Sequence, residues 1–164
     1  MRIDHEFTLP APLDEVVTML GDPAYVEDKI RRTGATEHTL EVTTDGPGPV
    51  VRSTRKMPTG RLPDMARKVV GDTVTLQEHQ EWGAPEADGS RSGKLTVTAG
   101  NAPARLEADL RIEPRGEETV FRTTGDFTVK VPFLGKQLEK QAEPYVGKVL
   151  GVEEKASREW LATH

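Results

Sequence analysis

The stretch "RSGKLTVTAGNAPARLEADLRIEPRGEETVFRTTGDFTVKV", Arg91 to Val131, decides the fold. Its small and apolar residues fall at every second position: Gly93, Leu95, Val97 and Ala99, then Ala104, Leu106, Ala108, Leu110 and Ile112, then Phe121 through Val131. In an antiparallel hairpin the paired residue numbers share a constant sum. Pairing Ala99 with Ala104 sets Val97 against Leu106, Leu95 against Ala108 and Gly93 against Leu110. Pairing Ile112 with Phe121 sets Leu110 against Thr123, Ala108 against Gly125 and Leu106 against Phe127. Each hairpin is read as closing on a turn of about four residues. Both pairings put every apolar position on one face, and a slip of one residue would turn them all to water. The prediction is an antiparallel meander that shows Arg105, Glu107, Asp109 and Arg111 to solvent.

Upstream the same period recurs. Ile3, His5, Phe7 and Leu9 share one face of a first strand, stopped by Pro10 and Pro12. "PLDEVVTMLGD" predicts a short helix with a stripe of Leu13, Val16, Val17 and Leu20, ended by Gly21. "PAYVEDKIRRTG" predicts a second, ended by Gly34, with Lys29, Arg31 and Arg32 near its negative end. From residue 35 the period returns to two. The turn "DGPGP" sets Val42 against Val51, Leu40 against Ser53 and His38 against Arg55. "DMARKVVG" predicts one or two helical turns capped by Asp64. A further strand carries Val74, Leu76, Glu78, Gln80 and Trp82 on one face.

Downstream, "VKVPFLGKQLEK" turns the chain into a final helix from about Phe133 to Leu161. Leu134, Leu138, Ala142, Tyr145, Val149, Val152, Ala156 and Trp160 make its apolar stripe. Pro144 is expected to kink or interrupt it. Gly147 and Gly151 each cost about 1 kcal/mol against Ala in a helix interior. They are read either as close packing on the sheet or as relief of bulk beside a cavity. Phe133 and Leu134 form an apolar lip, read as a buried hinge that orients the helix.

Composition narrows the function classes. The chain has 164 residues, 30% of them charged, and a formal charge of -5. The length fits one domain over 1–164. The acidic balance argues against nucleic-acid partners, which require a basic face. No uncharged run is long enough to span a bilayer, so no stable membrane anchor is expected. The first residues lack the apolar core of a signal peptide, and a cytoplasmic location is the expectation. Cysteine is absent, which removes disulfides and thiolate chemistry. His5, His38, His79 and His164 have no metal-ligand spacing. Neither a GxSxG elbow nor a GxxxxGK[ST] loop occurs. No catalytic set, metal site or cofactor is predicted.

The order of elements is strand, two short helices, about six further strands and one long helix. With the stretches "RIDHEFTLPAPLDEVVTMLGDPAY", "LPDMARKVVGDTVTLQEHQEW", "DGSRSGKLTV" and "VKVPFLGKQLEK" it resembles the START-like (SRPBCC, helix-grip) superfamily. It is most similar to an uncharacterised bacterial group within it. The resemblance implies an α+β fold: a curved antiparallel sheet of six to seven strands gripping the long C-terminal helix. It also implies an apolar cavity between them, since relatives bind lipids, sterols, polyketides or plant hormones, and some catalyse cyclisation or dehydration.

The residues that could serve such a cavity are polar side chains on inward faces and apolar ones on the helix. If Ser53 lies opposite Glu78, then Arg55 is diagonal to Glu78 and within reach of it. His38, Arg55 and Glu78 would then cluster, with Gln80 beside them. An unpaired buried Glu costs several kcal/mol, so this set is either a satisfied ion pair or an anchor for a ligand's polar head. The cavity candidates are His38, Arg55, Leu76, Glu78, Gln80, Phe127, Phe133, Leu134, Leu138, Tyr145 and Val149, and the resemblance, in which this corner borders a cavity mouth, makes Phe133 and Leu134 candidate gate residues. Pairing Gln80 with Gly93 would stack Trp82 on Arg91. His5 is read as a hydrogen-bonded core residue. Three functions remain open: a binding or carrier protein for a small hydrophobic, lipid-like ligand; a polyketide cyclase or dehydratase using Glu78 and His38; and an interaction domain docking through the 58–71 segment, around Arg61, Leu62 and Met65. Ligand identity and oligomeric state are not encoded in any visible motif.

Overall fold

In the computed structural model, which describes residues 1–100 and 102–164, the meander forms as its alternation requires. Strands β5 (Arg91–Ala99), β6 (Ala104–Arg115) and β7 (Glu118–Val129) pair with Val97 opposite Leu106, Ala108 opposite Gly125 and Ile112 opposite Phe121. The β6–β7 hairpin is tighter than expected. It pairs out to Arg115 and Glu118 and turns on two residues, with Gly116 at φ 62°, a left-handed conformation that costs glycine nothing. The β5–β6 turn includes Asn101, which lies outside the described residues. The strand β7 ends at Val129, two residues short of the expected end.

The other strands extend the sheet in both directions. They are β1 (Arg2–Leu9), β2 (Glu37–Thr43), β3 (Val50–Pro58) and β4 (Thr73–Trp82). Among the described residues the sheet has seven antiparallel strands in the order β1-β7-β6-β5-β4-β3-β2. Helices α1 (Leu13–Leu20), α2 (Pro23–Arg32), α3 (Asp64–Val70) and α4 (Gly135–Thr163) complete the chain. Asp22 caps α2 by accepting from the Ala24 N–H. Asp64 does not cap α3: Pro63 holds the cap position, and the Asp64 carboxylate pairs with Arg67 instead. Among the described residues no helix is long and apolar enough to cross a membrane.

The helix α4 runs unbroken through Pro144. Pro144 and Lys140, whose carbonyl loses its partner, both lie on the exposed side, where water can serve that carbonyl.

The core is confined to one half of the sheet–helix sandwich. Phe7 stacks on Phe121 at 5.0 Å, and Trp82 meets Phe121 edge-on at 5.7 Å. Helices α1 and α2 close over this half with Val16, Met19, Leu20, Tyr25, Val26 and Ile30. The C-terminal part of α4 packs in with Ala156 and Trp160. Trp82 lies opposite Gly93, not Arg91, because β4 and β5 pair Gln80 with Leu95, two residues from the expected register. The bare glycine is what admits the indole: a Cβ on Gly93 would come 2.9 Å from the Trp82 ring. Arg91 instead donates to the carbonyls of Pro47 and Gly83.

The close-packing reading of Gly147 and Gly151 does not hold, since a Cβ at either would meet nothing within 4 Å. Gly125 is the opposite case. A Cβ there would press to 2.5 Å from the Ala108 Cα. Gly147→Ala and Gly151→Ala are therefore each expected to raise stability by about 1 kcal/mol. Gly125→Ala is expected to lower it by about 1–3 kcal/mol. Urea unfolding of the three variants checks both signs.

Candidate functional site

Aromatic rings in contact fill one end of the sandwich, and at the other the sheet and helix walls stand apart. Ala99, Ala104 and Ala142 stand where a filled core would place bulk. Between the sheet and the N-terminal half of α4 this leaves a cavity of about 330 Å³. Leu76, Val97, Leu106 and Phe127 form its sheet wall, and Leu138, Tyr145 and Val149 its helix wall. The helix α3 and the segment leading into it cover the mouth with Leu62, Ala66 and Val69, and no residue of α3 is fully buried. The Tyr145 hydroxyl donates to the Arg61 carbonyl, tying α4 to that leading segment.

The floor, where cavity meets core, is charged. The β3–β4 register sets Ser53 opposite Glu78, and the Arg55 guanidinium pairs diagonally with the Glu78 carboxylate. Their side chains are only 7% and 10% exposed. Beside them the Lys29 Nζ lies 2.7 Å from Glu153 Oε2, and the Tyr25 hydroxyl donates to Glu153 Oε1 at 3.0 Å. Burial pulls the Lys29 ammonium down, but the Glu153 and Glu78 carboxylates more than offset it, so its pKa lies above the ordinary lysine value. Burial, reinforced by Glu153, pushes the Tyr25 phenol well up, so it stays neutral. The floor thus carries two cations and two carboxylates in balance. Among the described residues two buried atoms of the wall lack a hydrogen-bond partner: Arg55 Nε and Gln141 Oε1.

Eight expected residues line this space: Arg55, Leu76, Glu78, Gln80, Phe127, Leu138, Tyr145 and Val149. Three do not. His38 lies opposite Arg55 in the sheet, but its Nε2 turns to Glu27 on α2, 2.7 Å away. The edge strand β2 is near α2, and the Glu27 carboxylate captures the ring before it can join Glu78. Phe133 is fully exposed, and Leu134 is 37% exposed, so the buried-hinge reading fails for both. His5 is half-buried and only approaches Glu154 at 3.8 Å, without a hydrogen bond at Nε2.

Lys29, Tyr25 and Glu153 were absent from the expected site. Lys29 reads as a charge complementing the helix end. Its position gives it away: Tyr25, Val26, Lys29 and Ile30 share the buried face of α2. A lysine on that face needs a buried carboxylate, and Glu153 supplies it from 124 residues away.

Breaking the floor is expected to cost more than removing it. Arg55→Met or Glu78→Gln alone should destabilise by about 3–5 kcal/mol, because each leaves a buried charge unpaired. The double variant Arg55→Met/Glu78→Met should cost less than either single change. Denaturant unfolding of the three variants measures this.

The sequence matches no curated protein. Several solved structures share the fold at low identity. TTHA0849, a protein from Thermus thermophilus, is 19% identical with a TM-score of 0.62, covering 100% of both chains. Norcoclaurine synthase from Thalictrum flavum is 18% identical with a TM-score of 0.57, over 100% of this chain and 95% of that one. The ZhuI aromatase/cyclase from Streptomyces sp. R1128 is 15% identical with a TM-score of 0.57, over 96% and 90%. One structure of the Thalictrum enzyme holds dopamine and hydroxybenzaldehyde. These likenesses establish the helix-grip fold. Residues 4–161 match the model of a family described as a protein of unknown function, DUF2505, and the chain is a member of that family with a helix-grip fold.

Proposed function

We propose that this protein binds a small, mainly apolar molecule in the cavity between sheet and α4, and holds it without chemical change. The observation that carries this reading is the cavity itself. Apolar walls that face an unfilled space forgo packing contacts, and the loss grows with the volume left unfilled. A ligand that fills the space restores those contacts. The volume equals the share of about ten waters, which suits a medium-chain alcohol, a ketone, an isoprenoid or a small aromatic. The floor shapes the preference for a head group. Its charges already cancel, so a ligand carboxylate gains no free cation. A neutral hydroxyl or carbonyl head group adds no unbalanced charge beside these pairs.

The cyclase or dehydratase reading requires His38 and Glu78 to act together. They are held in separate pairs, with Glu27 and Arg55, and only Glu78 borders the cavity. That favours binding over acid–base catalysis by this pair.

Thermal shift and native mass spectrometry with decanol, decanoic acid and geraniol test the proposal. At a hundredfold excess over Kd, the neutral ligands should stabilise by about 2.7 kcal/mol, or raise Tm by about 5–10 °C. Decanoic acid should bind more weakly than decanol. Ala142→Phe should abolish binding and leave the unliganded protein at least as stable, because it fills the void. If no compound shifts Tm and Ala142→Phe is strongly destabilising, the space is already filled and the proposal is wrong.

A further inference from the structure

The corner between β7 and α4 faces outward in a way that cavity binding does not require. Pro132, Phe133 and Leu134 are consecutive and exposed. Phe133 is 105% exposed, the highest among the described large hydrophobics that reach the surface. Its φ is 64°, a left-handed conformation that sterics disfavour for any residue with a Cβ. The ring is not there by slack. Leu134 and Gly135 both donate to the Val131 carbonyl, at 3.3 and 3.0 Å, which makes the corner a closed turn. Glu139 Oε1 accepts from the Val129 N–H at 3.1 Å and clamps the first turn of α4 to the strand end.

Basic residues outnumber acidic ones beside this apolar tip. Lys130, Lys136 and Lys140 are all exposed. Between 127 and 142 the acidic residue is Glu139, which meets the Val129 N–H, the Met1 amine and, at 3.8 Å, Lys136, and Asp126 and Glu143 are the next carboxylates on either side. The segment leading into and forming α3, beside the cavity, carries Arg61, Arg67 and Lys68, with Arg67 paired to Asp64. Arg61 and Lys68 thus add basic charge on a chain of formal charge -5.

We infer that the Pro132–Leu134 corner is a wedge that docks this protein reversibly on an anionic bilayer. The apolar tip enters the headgroup–acyl boundary and the lysines meet lipid phosphates. A protein partner fits the corner poorly. A stable protein interface needs about 800 Å² per side and is depleted in lysine, whereas this apolar tip is three residues long and ringed with lysines. Val129 and Leu138, on either side of the corner, line the cavity, so the docked tip lies beside the cavity wall. Docking does not depend on the cavity being occupied, and each can fail alone.

Co-sedimentation of the full chain with vesicles tests it, without added ligand. The vesicles are pure phosphatidylcholine or contain about a third phosphatidylglycerol. Binding is expected only with the anionic vesicles, and it should weaken with salt. Phe133→Ala should reduce it about tenfold, the effect of losing one inserted Phe. Lys130→Gln and Lys136→Gln should each reduce it about fivefold. Phe133→Trp should retain binding and show a blue-shifted emission on vesicles, above the constant signal of Trp82 and Trp160. Unchanged thermal unfolding of these surface variants excludes a folding defect. Absence of sedimentation with anionic vesicles overturns the proposal, as does wild-type binding by Phe133→Ala. So would light scattering that shows Phe133→Ala converting a dimer to a monomer, since the corner would then be an interface between copies.

Discussion

The ion pair between Lys29 and Glu153 sets the geometry on which the rest depends. It lies at the point where α2, α4 and the sheet converge, and it fastens the middle of the long helix to the N-terminal helical pair. The Tyr25 hydroxyl shares the same carboxylate and also meets Ser157. Beyond this point α4 is bedded in the core through Ala156 and Trp160. At its other end Glu139 clips it to Val129. The helix is a beam held at both ends, and the span between Leu138 and Leu150, tied at Tyr145 to the segment before α3, roofs the cavity. A charge pair that is costly to break resists collapse of that span more firmly than apolar contacts, which could slide.

The division of the sandwich into a packed half and an open half follows from where bulk is placed. Phe7, Tyr25, Trp82 and Phe121 are all in the packed half. In the open half the sheet wall, with Leu76, Leu106 and Phe127, and the helix wall, with Leu138 and Tyr145, stand apart, and α3 covers the mouth without any fully buried residue. A cover held by so little buried surface opens at low cost, which is what exchange of a ligand requires. The charged floor ends the apolar space with groups that are neutral in sum yet rich in donors and acceptors.

Much of the sheet was legible because period-two alternation and constant-sum pairing are both local tests. Val97 against Leu106 and Ile112 against Phe121 follow from counting alone, and so does His38 against Arg55. The β4–β5 register escaped that test, because Gly93 gave no bulk by which to align it, and the reason Trp82 chooses it appears only once the indole lies over the bare backbone. The diagonal contact of Arg55 with Glu78 followed only on the condition that Ser53 lies opposite Glu78, a register that the long 58–71 link leaves open and the folded sheet supplies. The diversion of His38 was not legible, since Glu27 meets it only when α2 packs beside the edge strand.

What the sequence determined by itself was therefore the alternation, the strand pairings that alternation permits, and the long apolar stripe of the final helix. Those are properties of neighbours along the chain, and backbone geometry converts them directly into faces. What only the tertiary structure decided was which buried charges meet, where the helix stands clear of the sheet, and that Phe133 points into solvent. Lys29 and Glu153 are 124 residues apart. No periodicity links them, and their partnership exists only because desolvation at the junction of three elements leaves each with no other way to keep its charge.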